Sequence, residues 1–294
     1  MEVAEAVEKE KGSAPVGPIL VSVSEADVSG ANQTGKVSLS ACNTYIAADR
    51  RIQDEKSLAD KSIVSISATV STPRMSRYAT IIGTDKRLAL RLHTWNAAVA
   101  ASLLPTLHLA EVAIRNFALQ RIKAFYKNPR WYECPKLIRK LGGANSQMAM
   151  LLARAYQDEV QAGRSGDLSN FITSELPFGF WVNVFTSKFS NELWSRPLHT
   201  YSTSIPRGAT LPTLHDGVDN VRAFRNNVAH HKNIICKPVE QNFERTLEVL
   251  SWFCKSSSEF ARQTSTFPMV WACCPVDPAL LKPAAPKQKT AAAL

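Results

Sequence analysis

The sequence predicts an all-α protein, a helical bundle flanked by flexible N- and C-terminal segments. Three observations carry that expectation. Apolar side chains recur at three- and four-residue spacing through most of residues 73–264. All six Trp (Trp95, Trp131, Trp181, Trp194, Trp252, Trp271) lie between residues 60 and 274, whereas the first 60 residues hold neither Trp nor Phe. The alternation that marks a strand is confined to one loose stretch, residues 62–72, where Ile63, Ile66, Ala68 and Val70 are spaced by Ser and Thr.

Residues 1–72 read as a mostly disordered acidic leader and linker, because their Ala, Val, Ser and Gly content offers little to anchor a core. The helical block of residues 73–264 follows. Leu88, Leu92, Trp95 and Val99 make one stripe, expected to halt at Pro105. A second helix then carries Leu107, Ala110, Ile114, Phe117, Ala118, Ile122 and Phe125, and closes at Asn128-Pro129. Further helices are expected over residues 146–162, 180–194, 217–231 and 239–261, the last with Val239, Phe243, Leu247, Leu250 and Cys254 as its inner stripe. Phe125, Trp131, Met148 and Met150 are read as core filling. Residues 265–294 read as a Pro/Ala/Lys-rich tail.

Composition narrows the function classes. No apolar run approaches the ~18 residues of a spanning helix, so no membrane partner is expected. The start of the chain lacks a basic segment feeding an apolar one, which argues against secretion and for a cytoplasmic protein. Six cysteines without a C-x-x-C pair suit reduced thiols better than a disulfide scaffold or a zinc site. The charge is the pointer toward a partner: 35 Lys+Arg face 25 Asp+Glu in 294 residues, a net of +10. Residues 1–60 hold 6 of those basic and 10 of those acidic residues, leaving 29 and 15, a net of +14, to the rest. A domain so basic suits an anionic partner such as nucleic acid.

The segment richest in chemistry is residues 219–235, DNVRAFRNNVAHHKNII. On a helix Val221, Phe224 and Val228 face the core. Arg222, Arg225 and Asn226 then cluster on the opposite side, with His230 one turn further. Metal-free RNA cleavage needs a base for the 2′-hydroxyl proton, a cation for the charge gathering on the phosphoryl group, and an acid for the leaving 5′-oxygen. Histidine suits either proton role, and the planar arginine fork suits the cation. One such helix supplies one His and one Arg, so a dimer would supply a second acid/base. Consecutive His230 and His231 diverge by about 100° on a helix and no carboxylate or Cys completes a set, so neither a metal nor another cofactor is expected.

These residues resemble a known family. Arg225 and His230, separated by four residues, match the Arg-x4-His signature of HEPN domains, and RNNVAHHKNI is similar to a segment of Abi-like (abortive infection) proteins. Pro73-Arg74-Met75, Tyr78, Ala89-Leu90, Trp95-Asn96, Glu111 to Asn116, Trp131, Phe178 to Trp181 and Trp194 follow in that family's order. The likeness thus spans roughly residues 70–260. It implies a HEPN-like bundle, often a homodimer, acting as a metal-independent endoribonuclease in phage defence or as a toxin, with an antitoxin or phage-derived protein as trigger. It also implies that Arg225 and His230 are catalytic, with Asn226 and His231 in support. Glu111 matches a recurrent acidic residue of that family; its other reading is an i,i+4 pair with Arg115.

A second basic stretch, residues 115–140, holds eight basic residues and one acid, interleaved with aromatics. Arg115, Arg121 and Lys123 here, with Arg222 and Lys232 near the motif, are the candidate RNA-binding cations; the competing reading is a solvated helix face. The acidic leader is expected to compete weakly with RNA for the basic surface. The alternative function is a non-catalytic helical module that holds RNA or a protein on the same face.

Overall fold

The computed structural model describes residues 60–281. Its regular elements are all helical: α1 (Asp60–Val70), α2 (Thr72–Ile82), α3 (Lys86–Tyr126), α4 (Pro135–Leu141), α5 (Gln147–Gln161), α6 (Ser169–Glu175), α7 (Phe178–Asn183), α8 (Leu211–Ala229), α9 (Val239–Phe253), α10 (Lys255–Thr264) and α11 (Phe267–Ala272), with short 3-10 turns between. The all-α expectation holds for these residues.

The architecture is organised around α3, 41 residues long, which packs against α2, α7, α8, α9, α10 and α11. Asp85 starts it by accepting the Leu88 amide at 3.0 Å, and Lys127, in the left-handed region at φ 50°, ends it. The two helices expected on either side of Pro105 are therefore one. Leu92, Trp95, Val99, Leu103, Leu107, Ala110, Ile114, Ala118 and Ile122 form one buried stripe through the proline. Pro105 and Ala101 are both exposed, so the carbonyl that the missing amide leaves free lies on the solvent side of the helix. By length and composition α3 is also apolar enough to cross a membrane, which the short apolar runs did not suggest; its stripe is packed against the other helices.

Other boundaries also moved. The stretch read as linker is helix α1, which turns Ile63, Ser67 and Val70, at i, i+4 and i+7, toward α2 and α3. The helix expected over 180–194 stops at Asn183, and the chain folds back so that the Trp194 indole donates to the Val184 carbonyl at 2.8 Å. The 239–261 helix breaks at Cys254, extended at φ −156° and ψ 105°, and α10 returns along α9 through Ser258 Oγ to the Leu247 carbonyl and through Arg262 to Glu244. The expected tail begins too early. Trp271 of α11 stacks on Trp95 at 5.1 Å, the Trp95 indole donates to the Val270 carbonyl at 2.9 Å, and Leu281 is buried. Phe125 and Met150 are exposed rather than core, while Trp131 is fully buried and donates to Ser169. The predicted leader up to residue 59, and the tail beyond 281, lie outside the described residues.

Helix α8 is set close to α9 by Gly217, where an added Cβ would stand 2.6 Å from the Trp252 ring and 3.1 Å from Val249. That approach fixes the position of the motif-bearing helix in the bundle.

Candidate functional site

Helix α8 begins where Thr210 accepts the Thr213 amide and Pro212 occupies its first turn. Its inner side is Leu214, Val218, Val221, Phe224 and Val228, all buried. The motif therefore sits on its last two turns, as the spacing predicts, but the helix ends at Ala229 and not at 231. His230 is the cap residue. His231 takes the left-handed region at φ 51°, its amide bonds the Val228 carbonyl, and the Lys232 amide bonds the Asn227 carbonyl. This pair of bonds is a Schellman closure, with a histidine where glycine is usual. The two imidazoles thus belong to a turn rather than to one helical face.

The chain beyond the turn is fastened by Asn96. Its side chain, 4% exposed on α3, accepts the amides of Ile234 at 2.9 Å and Ile235 at 3.3 Å and donates to the Lys232 carbonyl at 3.2 Å. Ile234 and Ile235 are buried beside it. Asn96 was visible in the sequence only as part of the family resemblance.

Arg225 is held from the other direction. Glu111 of α3 meets its Nε at 2.8 Å, and Arg225 Nη1 lies 3.5 Å from Asn226 Oδ1. The i,i+4 pairing of Glu111 with Arg115 is overturned by this bridge between helices. Glu111 is 15% exposed and Arg225 37%, so the carboxylate is shielded while the guanidinium still reaches solvent. No hydrogen bond joins Arg225 to His230. Arg222, offered as an RNA-binding cation, is engaged by Asp219 at 2.7 Å.

His230, exposed, opens instead onto a cavity of about 230 Å³ between the turn, α2 and α3. Helix α2 contributes Arg74, Arg77 and Tyr78; α3 contributes His93; the turn contributes His230, His231 and Lys232. Among the described residues no carboxylate lines it. Burial first, then the charge of Arg74, holds the His93 imidazole below its ordinary range. Burial, then Cys236, pushes the Tyr78 phenol up to about 12, against the pull of Arg74 and Arg77. The Tyr78 and His93 rings meet edge to face at 5.6 Å.

The second basic stretch is less open than its sequence implies. Arg121 donates to the Leu193 carbonyl and lies 4.0 Å over the Tyr201 ring, and burial, first among the causes, lowers its pKa. Its cation serves the fold, so the reading of Arg121 as RNA-binding is corrected. Arg115 and Lys123 are partly buried, and Arg115 Nε is enclosed without a hydrogen-bond partner. Lys140 is tied to Glu192 at 3.2 Å and Arg130 to Glu133 at 2.6 Å.

Among the described residues, no three His, Cys, Asp or Glu side chains gather as a metal site would, and Cys134, Cys236, Cys254 and Cys274 are free thiols. No protein-family model, curated protein or solved structure matches the chain.

Proposed function

We propose that the chain is a metal-independent endoribonuclease of the HEPN type, an Abi-like cytoplasmic protein acting as a homodimer in phage defence or as a toxin under the control of an antitoxin or phage-derived trigger. One observation carries this reading: Glu111 holds Arg225 by its Nε while the guanidinium, whose Nη1 lies within 3.5 Å of Asn226 Oδ1, stays partly exposed. A guanidinium fixed in this way presents its remaining fork to two phosphate oxygens without reorganising as charge develops.

The chemistry then runs by attack of the 2′-oxygen on phosphorus. The 2′-hydroxyl proton passes to a histidine base, the bond from phosphorus to the 5′-oxygen breaks, and that oxygen takes a proton from a histidine acid. A 2′,3′-cyclic phosphate and a 5′-hydroxyl result. His230 serves one proton role, and the His230 of a second copy serves the other. Arg225 bears on the charged transition state, and Asn226 and His231 hold the turn and the phosphate.

A second reading draws on the same ion pair. If Glu111 neutralises Arg225 permanently, the face is a non-catalytic module that holds RNA or protein. Cleavage assays with purified protein in a metal chelator separate the two. The enzyme cuts RNA there, and Arg225→Ala and His230→Ala each lower the rate by about 10²–10⁴. Binding without cutting supports the module, and cutting that requires Mg²⁺ or survives either substitution rules out the proposed mechanism.

A further inference from the structure

The cavity beside His230 contains residues that the motif does not assign. Arg74 and Arg77, at i and i+3, share one face of α2 and are exposed. Among the described residues, neither they nor Lys232 is in an ion pair. Among the described residues, then, no carboxylate pairs with these guanidiniums beside the imidazole turn. His93 completes the wall from α3, 137 residues from His230 in sequence, and its Nδ1 is enclosed without a hydrogen-bond partner.

We propose that this cavity is a phosphate-binding pocket complete within one chain, in which Arg74 and Arg77 clamp a phosphodiester of the RNA against His93 and His230. The proposal rests on the endoribonuclease reading and adds to it a place for the substrate backbone. Several features point to this ligand class. Planar arginine forks match phosphate oxygens in pairs. A lining that, among the described residues, holds cations, imidazoles and a phenol but no carboxylate favours an anion over a cation or an apolar ligand. The volume, about 230 Å³, is below the ~300–1,000 Å³ of pockets for drug-sized ligands, which suits a phosphate with its sugar. Burial depresses His93 first and the positive field of Arg74 adds to it, and that field is what an entering phosphate would neutralise.

The test tracks histidine imidazole signals by NMR in the full-length protein, assigned with single His→Gln variants. Inorganic phosphate and a 2′-O-methyl RNA oligonucleotide, which cannot be cut, are the probes. Both probes should move the His93 and His230 signals together, and Arg74→Ala with Arg77→Ala should weaken each by at least tenfold while circular dichroism is unchanged. The slope of log affinity for RNA against log salt should fall by about 0.7 per arginine removed. Movement of His230 without His93, or affinity unchanged in the double variant, overturns the pocket. A response to polyglutamate and not to phosphate also overturns it, in favour of an acidic protein. Phosphate binding in the pocket by a wild-type protein that cuts no RNA leaves the pocket standing and removes the endoribonuclease reading; absence of both removes both.

Discussion

At the scale of single residues, Asn96 holds the chain after the motif by two acceptances and one donation, all to backbone. Asn96→Ala strands the amides of Ile234 and Ile235 in a buried setting, at about 1–3 kcal/mol for each unsatisfied group. Urea denaturation should show a loss of at least ~2 kcal/mol, with faster hydrogen exchange at Ile234 and Ile235 than at the α9 core; exchange unchanged at those amides would contradict the assigned role. His93 gives a pH dependence. Its pKa is lower in the folded chain than in the unfolded one, so the unfolded state binds the proton more tightly. The stability contribution is whole above the unfolded pKa of ~6.5 and diminishes as pH falls through that value toward the folded pKa. The cations that line the cavity beside the ring are Arg74 and Arg77 on α2 and Lys232 of the turn, with the imidazoles of His230 and His231 next to them. His93→Gln should therefore lose less Tm than wild type between pH 7.5 and pH 5.5, and an equal loss would place the pH sensitivity elsewhere.

At the scale of elements, the sequence disclosed helices better than their ends. The stripes on α8 and α9 were plain because each buries one face along its length, and the helix expected from residue 146 does start there, at α5, where Ser146 accepts the Ala149 amide at 3.2 Å. Pro105 misled because the rule that proline ends a helix describes local energetics, whereas a stripe buried on both sides of it outweighs one missing hydrogen bond. Pro105→Ala should accordingly raise Tm, since it restores an amide for the Ala101 carbonyl on a solvent-facing turn; the helix-interior penalty of ~3 kcal/mol is reduced by the ~1 kcal/mol that proline removes from the unfolded chain's entropy. A lower Tm would mean that the proline relieves a strain in α3. Helix α1 was missed for the opposite reason. Ser and Thr between its apolar residues mimic strand alternation, and only contact with α2 and α3 selects the face that carries Ile63 and Val70.

The candidate site shows the same division. Arg225, Asn226 and His230 were legible because they fall within six residues of sequence, at the end of one helix and its cap. Their partners were not legible as partners. Glu111, Asn96 and His93 lie on α3, and Arg74 and Arg77 on α2, and a solitary histidine or asparagine on a helix has no periodic signature of its own. Folding brings them to the motif by packing both α2 and α8 against the same long helix.

At the scale of the molecule, the net charge of +14 beyond residue 60 resolves into cations of different standing. Arg121, Lys140, Arg130, Arg222 and Arg262 are committed to carbonyls or carboxylates within the fold. Arg74, Arg77 and Lys232 surround a cavity that no carboxylate among the described residues lines, beside the histidine assigned to proton transfer. Attraction for RNA is thus proposed to centre on the turn after α8, with the basic stretch of residues 115–140 contributing less than its composition suggests. The most direct test of the proposed chemistry is the structure of the ends left on cut RNA. Mass spectrometry of an oligonucleotide digested by the full-length protein in chelator should find 2′,3′-cyclic phosphate and 5′-hydroxyl ends, with no cut 3′ to a nucleotide whose 2′-hydroxyl is replaced by hydrogen. Cuts that leave 3′-hydroxyl and 5′-phosphate ends, or that persist at the 2′-deoxy position, would contradict 2′-oxygen attack and with it the roles given to Arg225 and His230.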